Sequence, residues 1–210
     1  MATIMLKVKL HPTLLPIIVW LVLTGQFANY ALLFLSLCIH ELGHLIVAYL
    51  VGANIKSCVI MPYGGEIQFS KSWQMTKQQQ LLITMAGPFA TLLLFLLALF
   101  FLPQNLSMPL QTIQLLLLLL NLLPIWPLDG GRIVEILWSE KKSIIQTKTS
   151  FLAFSMSCCF LCMLMALLYI PESFFFILIL ILLFIQNIQA FRYRRYEQAF
   201  ENIVLNRLTP

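Results

Sequence analysis

Chemistry in this chain is concentrated in five residues, His40-Glu41-Leu42-Gly43-His44. On a helix, histidines four positions apart stand one turn from each other on the same face, close enough to share a metal ion. Glu41 lies beside the first of them and can reach a water molecule at that ion. The pattern is H-E-x-x-H, in which two imidazoles bind zinc and the glutamate is the general base of a hydrolysis. On a soluble helix such a spacing arises readily by chance. Here it interrupts an apolar run from Tyr30 to about Val51. An ionisable group inside a membrane span costs roughly 2.5–3.5 kcal/mol, so three polar groups within one turn and a half argue for a function.

Zinc held by two histidines needs a third protein ligand and keeps its fourth position for water. Carboxylates inside apolar runs are few. Asp129 is the best candidate, within Asn121-Leu-Leu-Pro124-Ile-Trp-Pro127-Leu-Asp129-Gly130-Gly131. Pro124, Pro127, Gly130 and Gly131 are expected to break a helix there. Irregular backbone at membrane depth is tolerated only where protein buries it or where it lines a wet cavity. By itself the stretch reads equally well as the end of a span with Asp129 as a cap. Beside the His-Glu-His group, the ligand reading is preferred. Glu135 is a poorer ligand, being further toward the cytosol. His11, just before Pro12, reads as an interfacial polar residue. The expected cofactor is one Zn2+ ion, although the same donors would suit other divalent metals. Cys38, Cys58, Cys158, Cys159 and Cys162 read as reduced packing residues.

The elements that must position these groups are spans. Of 210 residues, 60% are hydrophobic and 10% charged, the composition of a polytopic membrane protein. Apolar runs cover residues 13–24, 30–51, 81–102, 111–138, 151–170 and 174–191, the third interrupted by Ala86-Gly87-Pro88 and the fourth by residues 121–132. The polar stretch from Gly52 to Lys77 carries Pro62-Tyr63-Gly64-Gly65 between short apolar flanks and reads as a β-hairpin turning at the glycines. Residues 103–109 read as an uncharged turn and 140–149 as a basic loop. The expected fold is therefore an all-α polytopic membrane protein. It has six transmembrane helices, a membrane-associated β-hairpin between spans two and three, and a broken fourth helix. Residues 1–191 form one six-span domain with its core at 30–138, and 192–210 a cytosolic basic C-terminal helix.

The net charge of +5 follows from this layout. Lys7 and Lys9 precede span one. Lys56, Lys71 and Lys77 lie between spans two and three, and Lys141, Lys142 and Lys148 between spans four and five. Arg132 stands near the inner end of span four, while Arg192, Arg194, Arg195 and Arg207 follow span six. All fall on one side, so both termini are expected in the cytosol. The positive charge serves topology and contact with the lipid bilayer; no nucleic-acid partner is expected.

His40-Glu41-Leu42-Gly43-His44 together with Asn121 to Gly131 resembles the site-2 protease family of intramembrane zinc metalloproteases. Within it, the likeness is to the sporulation subgroup, the stage IV sporulation protein FB type. Ala86-Gly87-Pro88 resembles the family's third-span motif, with Thr91 where many members carry Asn. The resemblance implies zinc on His40, His44 and Asp129, Glu41 as catalytic base, and Asn121 and Pro127 as residues that help hold substrate. It implies a metalloendopeptidase of a bacterial cell membrane. Its substrate would be a membrane-tethered or membrane-associated regulator, such as a pro-sigma factor, cut near the cytosolic face, with other membrane proteins as regulators. The CBS domain usual in the subgroup after span six is not expected here, nor is a PDZ insertion. Gly64 and Gly65 are expected to help present a strand edge to an extended substrate by β-addition. The alternative is a polytopic metal-ion transporter. That reading needs ligands leading to both faces, which the outer connections lack, and gives Glu41 no task. A non-catalytic scaffold, or a zinc protease facing a soluble chamber, fits less well.

Overall fold

The structure, a computed structural model, describes residues 8–10, 27–53, 55–61, 64–69, 75–138, 144–169 and 174–208. They are mostly helical: α1 (Phe27–Leu50), α2 (Lys77–Phe101), α3 (Gln104–Asn121), α4 (Asp129–Trp138), α5 (Ile144–Leu167) and α6 (Phe174–Leu208). Three strands, β1 (Val8–Leu10), β2 (Ile55–Met61) and β3 (Gly64–Phe69), form a small sheet in the order β1-β2-β3. The chain divides into two compact units, Met1–Asn121 and Leu122–Pro210.

In the first unit, α1 ends where Gly52 takes φ +74°. The Gly52 N–H bonds the Tyr49 carbonyl at 3.1 Å, and the Ala53 N–H bonds the Ala48 carbonyl at 2.9 Å. That pair of bonds is the Schellman closure, and Ala48 and Ala53 pack together beneath it with Ile83. The chain then enters β2, which pairs antiparallel with β3 and parallel with β1. Helix α2 opens on a capping box. The Gln79 N–H donates to Thr76 Oγ1 at 3.3 Å, and the Thr76 N–H donates to Gln79 Oε1 at 2.9 Å. Helices α1 and α2 meet through small residues: a β-carbon on Gly43 would lie 2.6 Å from the Ala86 carbonyl oxygen and 2.8 Å from Ala90 Cβ. Close backbone approach of this kind is the usual way helices pack in lipid. Helix α3 is tied on by Ser107 Oγ donating to the Ala98 carbonyl at 2.7 Å and Gln114 Nε2 donating to Ser36 Oγ at 2.6 Å.

In the second unit, α5 and α6 pack around Ile125, Cys159, Ala166, Leu180 and Leu183. Ile125 belongs to the loop between α3 and α4, so the loop is plugged into the helix pair by one fully buried side chain. The Trp126–Pro127 peptide is cis.

Four helical segments are long and apolar enough to cross a membrane, counted among the described residues: Tyr30–Leu50, Lys77–Phe101, Lys148–Leu167 and Phe176–Arg194. Large apolar side chains face outward along them, Leu50, Phe89, Phe100, Phe101 and Leu161 included. A soluble surface avoids such continuous apolar exposure; lipid accepts it. The expected first span, residues 13–24, lies outside the described residues, as does His11. The fourth apolar run is not among the four, because α3 carries Gln104, Asn105, Gln111, Thr112 and Gln114 within its 18 residues.

Several expected boundaries move. Residues 103–109 are not a turn: the Pro103 carbonyl accepts from the Leu106 and Ser107 N–H groups and starts α3, with Pro109 inside the helix. Helix α5 begins at Ile144, so Thr147 to Thr149 are helical rather than loop. Helix α6 runs unbroken over 35 residues and absorbs the basic tail that was expected as a separate helix. Gly64 and Gly65 are not the turn; they stand in β3 opposite Met61 and Ile60, while residues 62–63 lie outside the described set. Pro88 does not interrupt α2, which continues through it.

Gly52→Ala is expected to cost about 1–2 kcal/mol, because an L side chain pays for the left-handed backbone. Gly52→Asn should cost less. Thermal unfolding in detergent measures both.

Candidate metal centre and active site

Helix α1 places His40 and His44 on one face, both buried, with Nε2 atoms 3.2 Å apart and rings edge to face. The bonds at the other ring nitrogens decide where the protons are. His44 Nδ1 lies 2.7 Å from the Ile83 carbonyl oxygen, which can only accept, so Nδ1 carries the proton. His40 Nδ1 lies 2.9 Å from Thr91 Oγ1. That hydroxyl donates its one proton to the Gly87 carbonyl at 3.1 Å, so it accepts from His40, and Nδ1 is again the protonated nitrogen. With the ring protons at Nδ1, each ring turns an Nε2 lone pair toward the other, an arrangement that suits a shared cation.

The spacing suits zinc. Two nitrogens at about 2.0–2.1 Å from a tetrahedral ion stand about 3.3–3.4 Å apart, near the observed 3.2 Å. Room beside the nitrogens is kept by Gly87, where a β-carbon would run into His44 Nε2 and lie 2.7 Å from His40 Nε2. Ordering of ligand imidazoles by a carbonyl or hydroxyl at the far nitrogen is the common arrangement in zinc sites. Glu41, the next residue after His40, is half-buried.

In the second unit Asp129 is buried and is the first residue of α4. The glycines after it were expected to break a helix; they begin one. A β-carbon on Gly130 would collide with the Leu122 carbonyl and lie 2.6 Å from the Leu123 oxygen. On Gly131 it would lie 2.6 Å from the Ile125 oxygen and 2.8 Å from the Trp126 nitrogen. The first turn of α4 is thus pressed against the backbone of the loop that precedes it, which only glycine allows.

Of the remaining expected site residues, Asn121 is the last residue of α3 and Pro127 lies in the loop, both half-buried. Gly64 and Gly65 lie in β3, an edge strand of the sheet. Thr91, noted in the sequence only as a departure from the family pattern, is the partner of His40. Its spacing from Gly87, one helical turn, was the available signal.

A buried imidazole pair with its outer nitrogens fixed, a neighbouring carboxylate, and apolar helices around them define a membrane zinc metallopeptidase. Comparison with known proteins agrees. The chain is 29% identical over 198 residues to stage IV sporulation protein FB of Bacillus subtilis, a match covering 92% of this chain and 69% of that protein. It is 33% identical over 184 residues to a zinc metalloprotease of Methanocaldococcus jannaschii, covering 83% of this chain and 52% of the relative. The solved site-2 protease from Methanocaldococcus jannaschii superposes with a TM-score of 0.65 at 27% identity, covering 88% of this chain and 90% of that one. The Peptidase M50B-like family model matches residues 13–139. The chain belongs to that family, the site-2 protease family of intramembrane zinc metalloproteases. It is a multi-pass membrane metalloendopeptidase, and the comparisons do not favour an ion transporter.

Gly87→Ala should strip zinc from the purified protein while leaving its helical circular dichroism intact. Thr91→Val should weaken zinc binding by about 10–100-fold, the usual effect of removing a partner that orients a ligand, and Thr91→Ser should restore it. Chelator competition reads both.

Proposed function

We propose that His40 Nε2, His44 Nε2 and the Asp129 carboxylate hold a single zinc ion, and that Glu41 is the general base of peptide-bond hydrolysis. The observation that carries this reading is the approach of the two Nε2 atoms to 3.2 Å while each Nδ1 meets an oxygen partner on α2. Two imidazoles and a carboxylate form a donor set able to hold one metal ion, and they leave a coordination position for catalysis. Zinc there supplies a Lewis acid that polarises a carbonyl and acidifies water. Glu41 accepts a proton as water adds to the scissile carbonyl carbon, then delivers it to the leaving nitrogen as the C–N bond breaks. Asn121 hydrogen-bonds the extended substrate backbone, and Pro127 shapes the contact beside it.

The substrate is a membrane-tethered or membrane-associated regulatory protein, of which a pro-sigma factor is the type, cut near the cytosolic face. Support comes from the sporulation protein among the relatives and from the grouping of every Lys and Arg on one side of the span map. The same grouping supports six spans and cytosolic termini. The end of α3 at Asn121 and the start of α4 at Asp129 support a broken fourth helix, and the Bacillus relative supports a bacterial membrane with membrane regulatory proteins as further partners. Residues 1–191 then form the six-span domain and residues 192–210 its cytosolic basic extension. A helical substrate hides its carbonyls in hydrogen bonds and must be extended before attack. Strand β3 is one edge of the sheet, and its Gly64-Gly65 end offers backbone groups for β-addition.

Co-expression with candidate tethered transcription factors tests the reading. Glu41→Gln should retain zinc and cleave about 10²–10⁴-fold more slowly; Asp129→Asn should lose zinc and cleavage together. Cleavage at the wild-type rate in Glu41→Gln, or full zinc retention in Asp129→Asn, would overturn it.

A further inference from the structure

We infer that Ser155 and Asn187 are positioning residues, a bracket from α5 and α6 that fixes the loop carrying Asp129 by gripping both polar groups of the Trp126 backbone. The Trp126 N–H donates to Ser155 Oγ at 2.8 Å. Ser155 Oγ donates to Asn187 Oδ1 at 2.6 Å. Asn187 Nδ2 donates to the Trp126 carbonyl at 2.5 Å and to the Leu183 carbonyl at 2.8 Å. The ring closes on itself. Ser155 gives its one proton to Asn187, and Asn187 spends both amide protons on carbonyl oxygens. That fixes the amide orientation, since a flipped amide would set its oxygen against two other acceptors.

Both side chains are fully buried. In such a setting a loop that shifts leaves a polar group unpaired, with its desolvation uncompensated. The bracket therefore acts as a register device. Its packing agrees: Ile125, next to Trp126, plugs the cluster formed by Cys159 and Leu183, one helical turn from Ser155 and Asn187 respectively. Two residues beyond Trp126, the Leu128 carbonyl accepts from the Arg132 N–H at 3.0 Å and opens the first turn of α4 at Asp129. Helices α5 and α6 hold none of the proposed ligands or the base. Their contribution to hydrolysis, on this inference, is to set where the carboxylate begins its helix.

This inference rests on Asp129 being a zinc ligand, and the test separates the two. The purified full chain in detergent is compared as wild type, Ser155→Ala, Ser155→Thr, Asn187→Leu and Asp129→Asn. The readouts are the rate of zinc loss to a chelator, the visible spectrum of the cobalt-substituted protein, and kcat against KM for a tethered substrate. Ser155→Ala and Asn187→Leu should lose zinc about 10–100-fold faster than wild type, with an altered cobalt spectrum. They should also show a lower kcat at near-constant KM and unchanged helical circular dichroism. Ser155→Thr, which keeps the hydroxyl, should behave as wild type. Wild-type zinc retention and cobalt spectrum in Ser155→Ala overturn the inference, as does an equal defect in a folded Ser155→Thr. If Asn187→Leu does not fold, Ser155→Ala decides alone. Full zinc retention in Asp129→Asn sinks the ligand reading instead, and loss there with no effect at Ser155 sinks only the bracket.

Discussion

Histidines one turn apart on an isolated helix can relieve each other, one ring donating its proton to the other. In this chain each Nδ1 has a partner of its own on the neighbouring helix. The Ile83 carbonyl holds the proton of His44 at Nδ1, and Thr91, itself tied to the Gly87 carbonyl, holds that of His40. All three partners lie on α2, so the metal affinity of a motif on α1 is decided by the neighbouring helix. The requirement passes down through the packing. Gly43 lets the α1 backbone reach Ala86 and Ala90, and Gly87 leaves open the volume in front of both Nε2 atoms. The capping box at Thr76 and Gln79 sets where α2 starts, and so which residues of α2 face the imidazoles.

The apolar surroundings raise the stakes of each polar side chain. In water a serine or asparagine that loses its partner finds another; in lipid or a dry interior it does not. Several polar groups inside the helices accordingly bond backbone carbonyls or each other: Ser36 to Leu32 and Gln114, Thr84 to Gln80, Ser107 to Ala98, Ser155 to Asn187. Some of these only satisfy a hydroxyl within its own helix. Those that cross between helices, or from helix to loop, hold a register that interchangeable leucines cannot specify.

That distinction explains what could be read in the sequence. His40, Glu41, His44 and Asp129 were legible because ionisable residues in apolar runs are conspicuous and their spacing has a known use. Thr91, Ser155 and Asn187 were equally anomalous by polarity, yet their partners are an imidazole on another helix and a loop backbone 29 and 61 residues away. Periodicity says which face a residue lies on, not which backbone group that face meets. The displaced boundaries have a similar origin. By composition residues 103–109 read as a turn and Pro88 as an interruption, whereas a proline inside a helix forfeits one hydrogen bond and the packing of a long apolar helix can offset that loss. Gly64 and Gly65 suggested a turn by composition, but a glycine in a strand also marks close approach of another backbone, and they pair with Met61 and Ile60.

The two units solve one positioning problem by different means, and the difference follows from backbone chemistry. A helix satisfies its own N–H and C=O groups, so α1 can be placed by shape alone, through Gly43 and Gly87. The loop between Asn121 and Asp129 cannot. Its internal bonds are few: Ile125 N–H to the Leu123 carbonyl at 2.7 Å and Leu128 N–H to the Ile125 carbonyl at 2.9 Å. Trp126 has no such partner within the loop and takes both of its bonds from side chains on α5 and α6. A buried loop leaves unpaired backbone groups unless something supplies partners, and here the supply also fixes the loop in place. In the first unit, substitutions that displace α1 should therefore act through volume, and alanine at a glycine is the damaging change. In the second they should act through hydrogen bonding as well, where a change as slight as the loss of one hydroxyl oxygen at Ser155 reaches the backbone three residues before the carboxylate.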